Sequence, residues 1–174
     1  MSTHRILLVT GASGAGKTTL AEALAARTLA GVGVHHADRE GVPSASEMTA
    51  QAGSPEAWQR QALGAWVDRL VANASGHRVS VLESQFRPHE ALQALAQRGA
   101  DGRVILIDCA HAERNARLAA RGQPGLATAQ MNQWAAYLKG QADALDLTVI
   151  DTTDRSVEAS ADALDAEVRA LLGG

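Results

Sequence analysis

The chain has little of several residue types that particular classes of protein require. It contains one cysteine, Cys109, in 174 residues. An internal disulfide is therefore excluded, and a reducing, cytoplasmic environment is expected. No apolar run approaches the roughly 20 residues that a membrane-spanning helix needs, so we expect no membrane association. Only five residues are aromatic, which leaves few rings on which nucleic-acid bases could stack.

Basic charge is also scarce, and arginine carries almost all of it. The chain has 16 basic and 19 acidic residues, a net charge of −3, so no basic field is available to grip nucleic acid. We therefore expect no nucleic-acid partner. Fourteen of the basic residues are arginine, and the only lysines are Lys17 and Lys139. The position of Lys17 is the first indication of function.

Length and apolar pattern predict one α/β domain that spans residues 1–174. Short β-type runs alternate with helical stretches, and several of the runs are almost continuously apolar, as is typical of strands buried on both faces of a parallel sheet. This alternation implies right-handed crossovers and a three-layer sandwich. The predicted strands are Arg5–Thr10, Gly33–Ala37, Arg78–Leu82, Arg103–Asp108 and Leu147–Asp151.

Helices are predicted between these strands. Ser54-Pro55-Glu56 is a strong start signal, because serine can cap, proline suits the first turn, and glutamate favours the positive end of the helix dipole. In the helix that follows, Trp58, Trp66 and other apolar residues recur every four positions, which favours packing in the core. Residues 38–53 and 122–127 contain Gly and Pro and are predicted to be loops.

The segment from Gly11 to Thr18 matches the phosphate-binding pattern G-x-x-x-x-G-K-[ST]. It follows a predicted strand and opens a predicted helix, which is the context the motif requires, and roughly 0.002 matches are expected by chance from this composition. The glycines let backbone N–H groups surround phosphate oxygens, and the helix N-terminus adds its positive dipole. Lys17 would contact the β- and γ-phosphates, and the Thr18 hydroxyl would contact Mg²⁺.

The residues exclude two other kinds of nucleotide-binding site. Gly11, Gly14 and Gly16 do not have the G-x-G-x-x-G spacing of a dinucleotide site, since Thr19 stands where the third glycine belongs. A guanine-specific GTPase carries an N-K-x-D segment, and none of the three asparagines is followed by lysine. Large motor or chaperone ATPases need a longer chain, so small phosphotransferases remain.

On these residues, the chain resembles the group of P-loop kinases that contains shikimate kinase, gluconate kinase and the nucleoside monophosphate kinases. The resemblance implies a five-stranded parallel sheet in the order 2-3-1-4-5, with a short lid over residues 111–127 and an acceptor-binding segment over residues 38–75. It also implies that ATP is the phosphoryl donor and Mg²⁺ the metal. The residues expected to bind the nucleotide are Gly11, Ala12, Ser13, Gly14, Ala15, Gly16, Lys17, Thr18, Thr19, Arg114 and Thr152.

Acidic residues follow the second and third predicted strands. By resemblance, Asp38 contacts the acceptor hydroxyl and could accept its proton. Glu83 resembles the carboxylate that organises Mg²⁺, although glutamate replaces the more common aspartate here. By this resemblance, Glu83 would bind the metal together with Thr18 and would also face the acceptor. Arg87 stands where such kinases bind the acceptor, and its planar fork of donors suits an anion.

Arginines on one helix face resemble the lid of these kinases. Arg114, Arg117 and Arg121 are spaced i, i+3, i+7, and Gly122 follows them. By resemblance they close over ATP, with Arg117 and Arg121 as the catalytic candidates beside Lys17 and Asp38. Arg114 is the candidate platform for adenine, and Thr152 resembles the loop residue on the adenine side. A helical charge run is more often a solvated face, so both interpretations stay open.

The sequence therefore predicts an ATP-dependent phosphotransferase that acts on a small-molecule acceptor, with Mg²⁺. A nucleotide-binding ATPase or switch that acts on a partner is the alternative, and an intrinsic ATPase rate separates the two. The sequence does not name the acceptor, and the preference for ATP over GTP rests only on a missing motif. A monomer and a homodimer are both compatible with it.

Overall fold

The computed structural model describes residues 4–73 and 76–173, so positions 74 and 75 of the predicted acceptor-binding segment lie outside the described residues. Five parallel strands form one sheet in the order β2-β3-β1-β4-β5, which confirms the predicted topology. The strands are β1 Arg5–Thr10, β2 Val32–His36, β3 Val79–Glu83, β4 Asp101–Asp108 and β5 Thr148–Asp151.

Seven helices connect and cover the strands within the described ranges. None of them is long and apolar enough to cross a membrane. The helices are α1 Lys17–Ala26, α2 Ala45–Ala52, α3 Pro55–Ala72, α4 Pro88–Gln97, α5 His111–Ala120, α6 Ala129–Ala144 and α7 Val157–Gly173, with short 3-10 turns at Ala37–Glu40 and Pro124–Leu126.

Strand β1 is the centre of the core because both of its faces are covered. Leu7 and Val9 point into a cluster with α1 and α7, whereas Ile6 and Leu8 point into a cluster with α3 and α4. All four side chains are completely buried. The continuous apolar run that predicted a strand buried on both sides has this physical cause, since successive side chains of a strand face opposite sides.

The prediction of a loop over residues 38–53 is wrong in its second half, where α2 forms. Ser44 accepts a hydrogen bond from the Glu47 backbone N–H, and the Glu47 carboxylate accepts one from the Ser44 N–H, so the helix starts with a capping box. Gly53 ends it in the left-handed conformation. Ser54 then caps α3 by accepting from the Ala57 N–H, which confirms the predicted start of that helix.

Candidate functional site

The loop from Gly11 to Gly16 leaves the carboxyl end of β1 and enters α1. A Cβ at Gly11 would lie 2.4 Å from the Ile107 carbonyl oxygen, and Gly16 adopts a left-handed φ of 105°, so both positions require glycine. In the described part of the chain, no side chain caps the start of α1 and no acidic residue lies in its first turn. The first N–H groups of α1 are therefore left for an anion.

Lys17 is 6% exposed and lies among charges of both signs. Burial lowers the pKa of its ammonium, while the carboxylates of Glu83 and Asp38 act against that shift and the positive charge of Arg121 adds to it. The charges of three other predicted site residues, Asp38, Glu83 and Arg121, therefore reach Lys17. These three residues come from the turn after β2, the end of β3 and the residue that follows α5.

Glu83 ends β3 and is 2% exposed. Its Oε1 accepts a hydrogen bond from the Thr18 hydroxyl at 2.8 Å and lies 3.2 Å from Nδ1 of His36. Its Oε2 is buried and has no hydrogen-bond partner in the described residues. A buried carboxylate oxygen without a partner, beside a threonine hydroxyl, fits the oxygen ligands that Mg²⁺ prefers, so Thr18 and Glu83 are suited to hold that metal.

Asp38 lies in the turn that follows β2 and is exposed. Its Oδ1 accepts a hydrogen bond from the Ser84 hydroxyl at 2.8 Å. The next residue, Gln85, donates from Nε2 to the Ser13 hydroxyl at 2.6 Å. The residues directly after β3 therefore connect the Asp38 carboxylate to the phosphate loop, which fixes where a molecule next to Asp38 would lie relative to a bound phosphate.

Arg117 joins the phosphate loop to the residues after β5. Its guanidinium donates to the hydroxyl and the carbonyl of Thr152, both at 2.8 Å, and to Glu113 at 2.8 Å. Thr152 is buried, and its hydroxyl lies 2.9 Å from the Ala15 carbonyl oxygen. The side chains of Arg117 and Thr152 are therefore used within the protein, where they hold the phosphate loop against the β5–α7 connection.

The three lid arginines have different environments. Arg114 is completely buried, donates to the Cys109 carbonyl and to Asn132, and packs its aliphatic part against Gly14. It supports the phosphate loop from within and, because it is completely buried, has no exposed face for an adenine ring. Arg121 is exposed, and its side chain has no hydrogen-bond or ion-pair partner within residues 4–73 and 76–173.

Two cavities adjoin this site, and Gln59 and Gln85 line both. The first, called here the Asp38 cavity, has a volume of about 500 Å³ and is lined by residues of the turn after β2, of α2 and α3 and of the end of β3, Asp38, Trp58 and Trp66 among them. The second, called here the Arg87 cavity, has about 620 Å³ and contains Trp134. Arg87 lies there, 3.9 Å from Glu56 and from Glu90, and not beside Asp38.

The prediction that the tryptophans pack in the core is only partly correct. The buried face of α3 consists of Leu63, Gly64, Val67 and Leu70, and Trp58 and Trp66 are half-buried on the cavity side. Four-residue spacing marks one face of a helix but does not say whether another element covers it.

Sequence reasoning missed the contacts of His36 and Ser84 with the two carboxylates. The signal for His36 was present, because the order 2-3-1 places β2 beside β3 and His36 pairs in register with Glu83. Its neighbour His35 points to the other face, where its ring lies near Trp66 and His77, because successive side chains of a strand face opposite sides of the sheet.

Comparisons with known proteins identify the family and the fold. A family model described as an AAA domain, AAA_18, matches residues 7–136. No curated protein sequence matches the chain. Among solved structures, the tunicamycin resistance protein of Deinococcus radiodurans superposes with a TM-score of 0.69 at 20% identity, covering 95% of each chain.

Two solved kinases also superpose over nearly the whole chain. Shikimate kinase from Acinetobacter baumannii, in complex with shikimate, has a TM-score of 0.59 at 19% identity and covers 97% of this chain and 94% of its own. APS kinase from Mycobacterium tuberculosis, in complex with AMPPNP and APS, has a TM-score of 0.60 at 20% identity and covers 99% of each. The fold is therefore that of P-loop kinases.

Proposed function

The chain belongs to the AAA-domain family, and from this premise we propose that it transfers the γ-phosphate of ATP to a hydroxyl or phosphate of a small molecule. The observation that carries the proposal is the set of hydrogen bonds that joins Thr18 to Glu83, Ser84 to Asp38 and Gln85 to Ser13, because it places the Asp38 carboxylate beside the phosphate loop. A nucleotide-binding loop alone would suit many functions. The Asp38 carboxylate beside it, at the edge of a cavity, is what a second substrate requires.

The phosphate loop and Lys17 would bind the β- and γ-phosphates of the nucleotide. Residues 11–19 provide the backbone N–H groups and the uncapped start of α1, and a lysine held in a largely buried position keeps its charge close to the transferred group. Thr18 and Glu83 would hold Mg²⁺, which when bound neutralises charge on the phosphate oxygens. The APS kinase structure, with AMPPNP bound, supports the choice of an adenine nucleotide.

Asp38 would orient the acceptor hydroxyl and take its proton. The Ser84 hydroxyl donates to Oδ1 of Asp38 and leaves Oδ2 free to accept from a substrate. Because Gln85 ties the same segment to Ser13, the acceptor would be held at a constant distance from the phosphate loop. Catalysis of this kind consists mainly of positioning and charge stabilisation.

Of the two arginines expected to be catalytic, we assign Arg121 to the charge of the transferring phosphoryl group and Arg117 to positioning. Arg121 is exposed, its charge acts on Lys17, and its guanidinium can move to a phosphate without breaking a contact. Arg117 would have to release Thr152 and Glu113 first. Residues 111–127 would act as the lid and residues 38–75 as the acceptor-binding segment of one domain.

Incubation with γ-labelled ATP, Mg²⁺ and a panel of hydroxyl and phosphate acceptors tests the proposal. The expected result is label on at least one acceptor, with little ATP hydrolysis when acceptor is absent. The Lys17→Ala variant should lose the transfer. Steady hydrolysis with no labelled acceptor would instead identify an ATPase or switch.

A further inference from the structure

The wall of the Asp38 cavity is mainly apolar. Aliphatic and aromatic side chains cover it from three directions: the segment after β2, the helices α2 and α3, and the end of β3. Its volume of about 500 Å³ lies within the range of small-molecule sites. The principal apolar contributors are Val42, Met48, Trp58, Trp66, Leu82 and Phe86.

Charge in this wall is limited to Asp38, Glu40 and Arg69. Arg69 donates to both carboxylate oxygens of Glu40, each at 2.9 Å, and its guanidinium lies 3.6 Å above the Trp66 ring. Its charge is therefore neutralised in place, and the wall keeps one net negative charge from Asp38. Among the described residues, the wall itself offers no unpaired cation to a carboxylate or phosphate, because the Lys17 ammonium, whose charge interacts with Asp38, lies in the phosphate loop and does not line the cavity. Desolvation of an anion that lacks a partner in the wall is costly.

The polar residues of the cavity wall that are joined to the phosphate loop form one group, separate from the Arg69–Glu40 pair. Asp38, Ser84 and Gln85 lie where the cavity meets the phosphate loop, and these are the residues that contact each other or Ser13. The indoles of Trp58 and Trp66 lie in the α3 wall, and the Trp58 N–H is already used by Gln51 at 2.9 Å. The cavity therefore offers the Asp38 carboxylate beside the phosphate loop, and indole and aliphatic surface along α3, where the only charges of the described residues are those of the Arg69–Glu40 pair.

We propose that the acceptor is an uncharged molecule with an apolar or aromatic body and a hydroxyl group presented to Asp38. This inference rests on the proposed phosphotransfer and narrows its substrate class. In the step itself, the acceptor oxygen forms a bond to the γ-phosphorus and the bond from that phosphorus to the β–γ bridging oxygen breaks. ADP leaves with the electron pair, and the hydroxyl proton passes to the Asp38 carboxylate and then to solvent.

Three matched probes test the inference by binding. 4-Nitrophenyl β-D-glucoside, the corresponding glucuronide and the corresponding 2-amino-2-deoxyglucoside share an aromatic body and differ in charge. Quenching of tryptophan fluorescence by the nitrophenyl group reports occupancy of the cavity, and a Trp134→Phe background removes the third indole, which lies in the Arg87 cavity. We expect the uncharged glucoside to bind at least about fivefold more tightly than the anionic glucuronide. A ratio of this size corresponds to a small difference in binding free energy, as expected when the ligand carries one unpaired charge.

Substitutions in the wall of the Asp38 cavity test whether the probes bind there. Trp58→Ala should weaken glucoside binding about tenfold, because one buried aromatic contact is lost, and Trp58→Phe should restore most of it. Asp38→Asn should reduce the discrimination against the glucuronide, since the negative charge of the wall is removed. Tighter binding of the glucuronide or of the amino sugar by the parent chain, or no quenching by any probe at millimolar concentration, would overturn the inference.

The two proposals can fail separately. Binding is measured again in the Lys17→Ala variant, which cannot transfer phosphate but keeps the cavity. Selective binding of the uncharged probe without transfer to any acceptor would leave the cavity inference standing and remove the phosphotransferase. Transfer to acidic acceptors in preference to uncharged ones would do the reverse.

Discussion

The phosphate loop and the Asp38 cavity lie next to each other at the carboxyl end of the sheet, but they are built by different means. Around the loop, polar groups are joined in pairs: Thr18 to Glu83, Gln85 to Ser13, and Arg117 to Thr152. The cavity wall also contains polar pairs, Ser84 with Asp38 and Arg69 with Glu40, but most of it consists of indoles and aliphatic side chains. A phosphate chain always has the same charge and shape, and its site can therefore be built from backbone and fixed charges, whereas the acceptor is selected mainly by the shape and polarity of a wall.

The largest expected effect separates the two lysines. Lys17→Ala should lower the rate of phosphotransfer at least about 100-fold, because a preorganised charge at the transferred group is lost. Lys139→Ala is the matched control, since Lys139 lies on α6 and is paired with Asp143 at 2.5 Å. Initial rates at saturating acceptor measure both. Equal rates in the two variants would remove Lys17 from the mechanism.

A glycine comparison tests how rigid the loop is. Gly11→Ala should lower the free energy of unfolding by about 1–3 kcal/mol, because the new methyl group would meet the Ile107 carbonyl. Gly140→Ala, in the middle of α6 with no atom near the added Cβ, should raise it by about 0.5–1 kcal/mol. Urea denaturation of both variants gives the difference, and a neutral Gly11→Ala would show that the loop moves freely relative to β4.

The Glu83→Gln variant tests the expectation that Glu83 helps to bind Mg²⁺. Replacing the carboxylate, whose Oε2 has no partner within the described residues, should weaken the affinity for Mg·ATP about tenfold, the size typical of a changed ligand environment. Affinity for ATP measured in EDTA should change little. Glu167→Gln, on α7 and paired with Arg103, is the control. Titration calorimetry with and without Mg²⁺ distinguishes a metal role from a general loss of nucleotide binding, which would argue against it.

The smallest expected effect is a pH dependence on the cavity side of the sheet. Burial lowers the pKa of His35, with further lowering by the positive charges of His77, His36 and Arg69, and burial with His77 lowers the pKa of His4. At a pH above the ordinary histidine pKa of about 6.5, both rings are neutral in the folded and in the unfolded chain, and their contribution to stability is fully present. Below it, the unfolded chain binds protons first, so stability falls as the pH falls through the folded-state values.

Urea midpoints at about pH 7.5 and about pH 5.5 measure this loss. His35→Gln should reduce the difference between the two midpoints. The same change at His111, which is exposed at the start of α5, should leave it as it is. If His35→Gln leaves the difference between the two urea midpoints unchanged, the pH dependence of stability belongs to other groups.

Much of the phosphate loop could be predicted from the sequence because the residues that determine its conformation are neighbours in the chain. The pattern from Gly11 to Thr18 specifies the loop through φ angles, close approaches and a helix start that depend on neighbouring residues. The apolar runs and the helices between them also indicated a parallel sheet, whereas the order of its strands was implied by the resemblance to the P-loop kinases. The rare lysine at position 17 pointed to the same site.

The tertiary structure decided what surrounds that loop, because those contacts join residues that are distant in the chain. Helical spacing could group Arg114, Arg117 and Arg121 but could not tell that Arg114 is buried, that Arg117 holds Thr152, and that Arg121 is free to act. The same limit applies to Trp58 and Trp66, whose cavity is formed where α3 meets α2, the segment after β2 and the end of β3. The local motif therefore determined the phosphate loop, and packing between separate elements determined the residues around it and the acceptor wall.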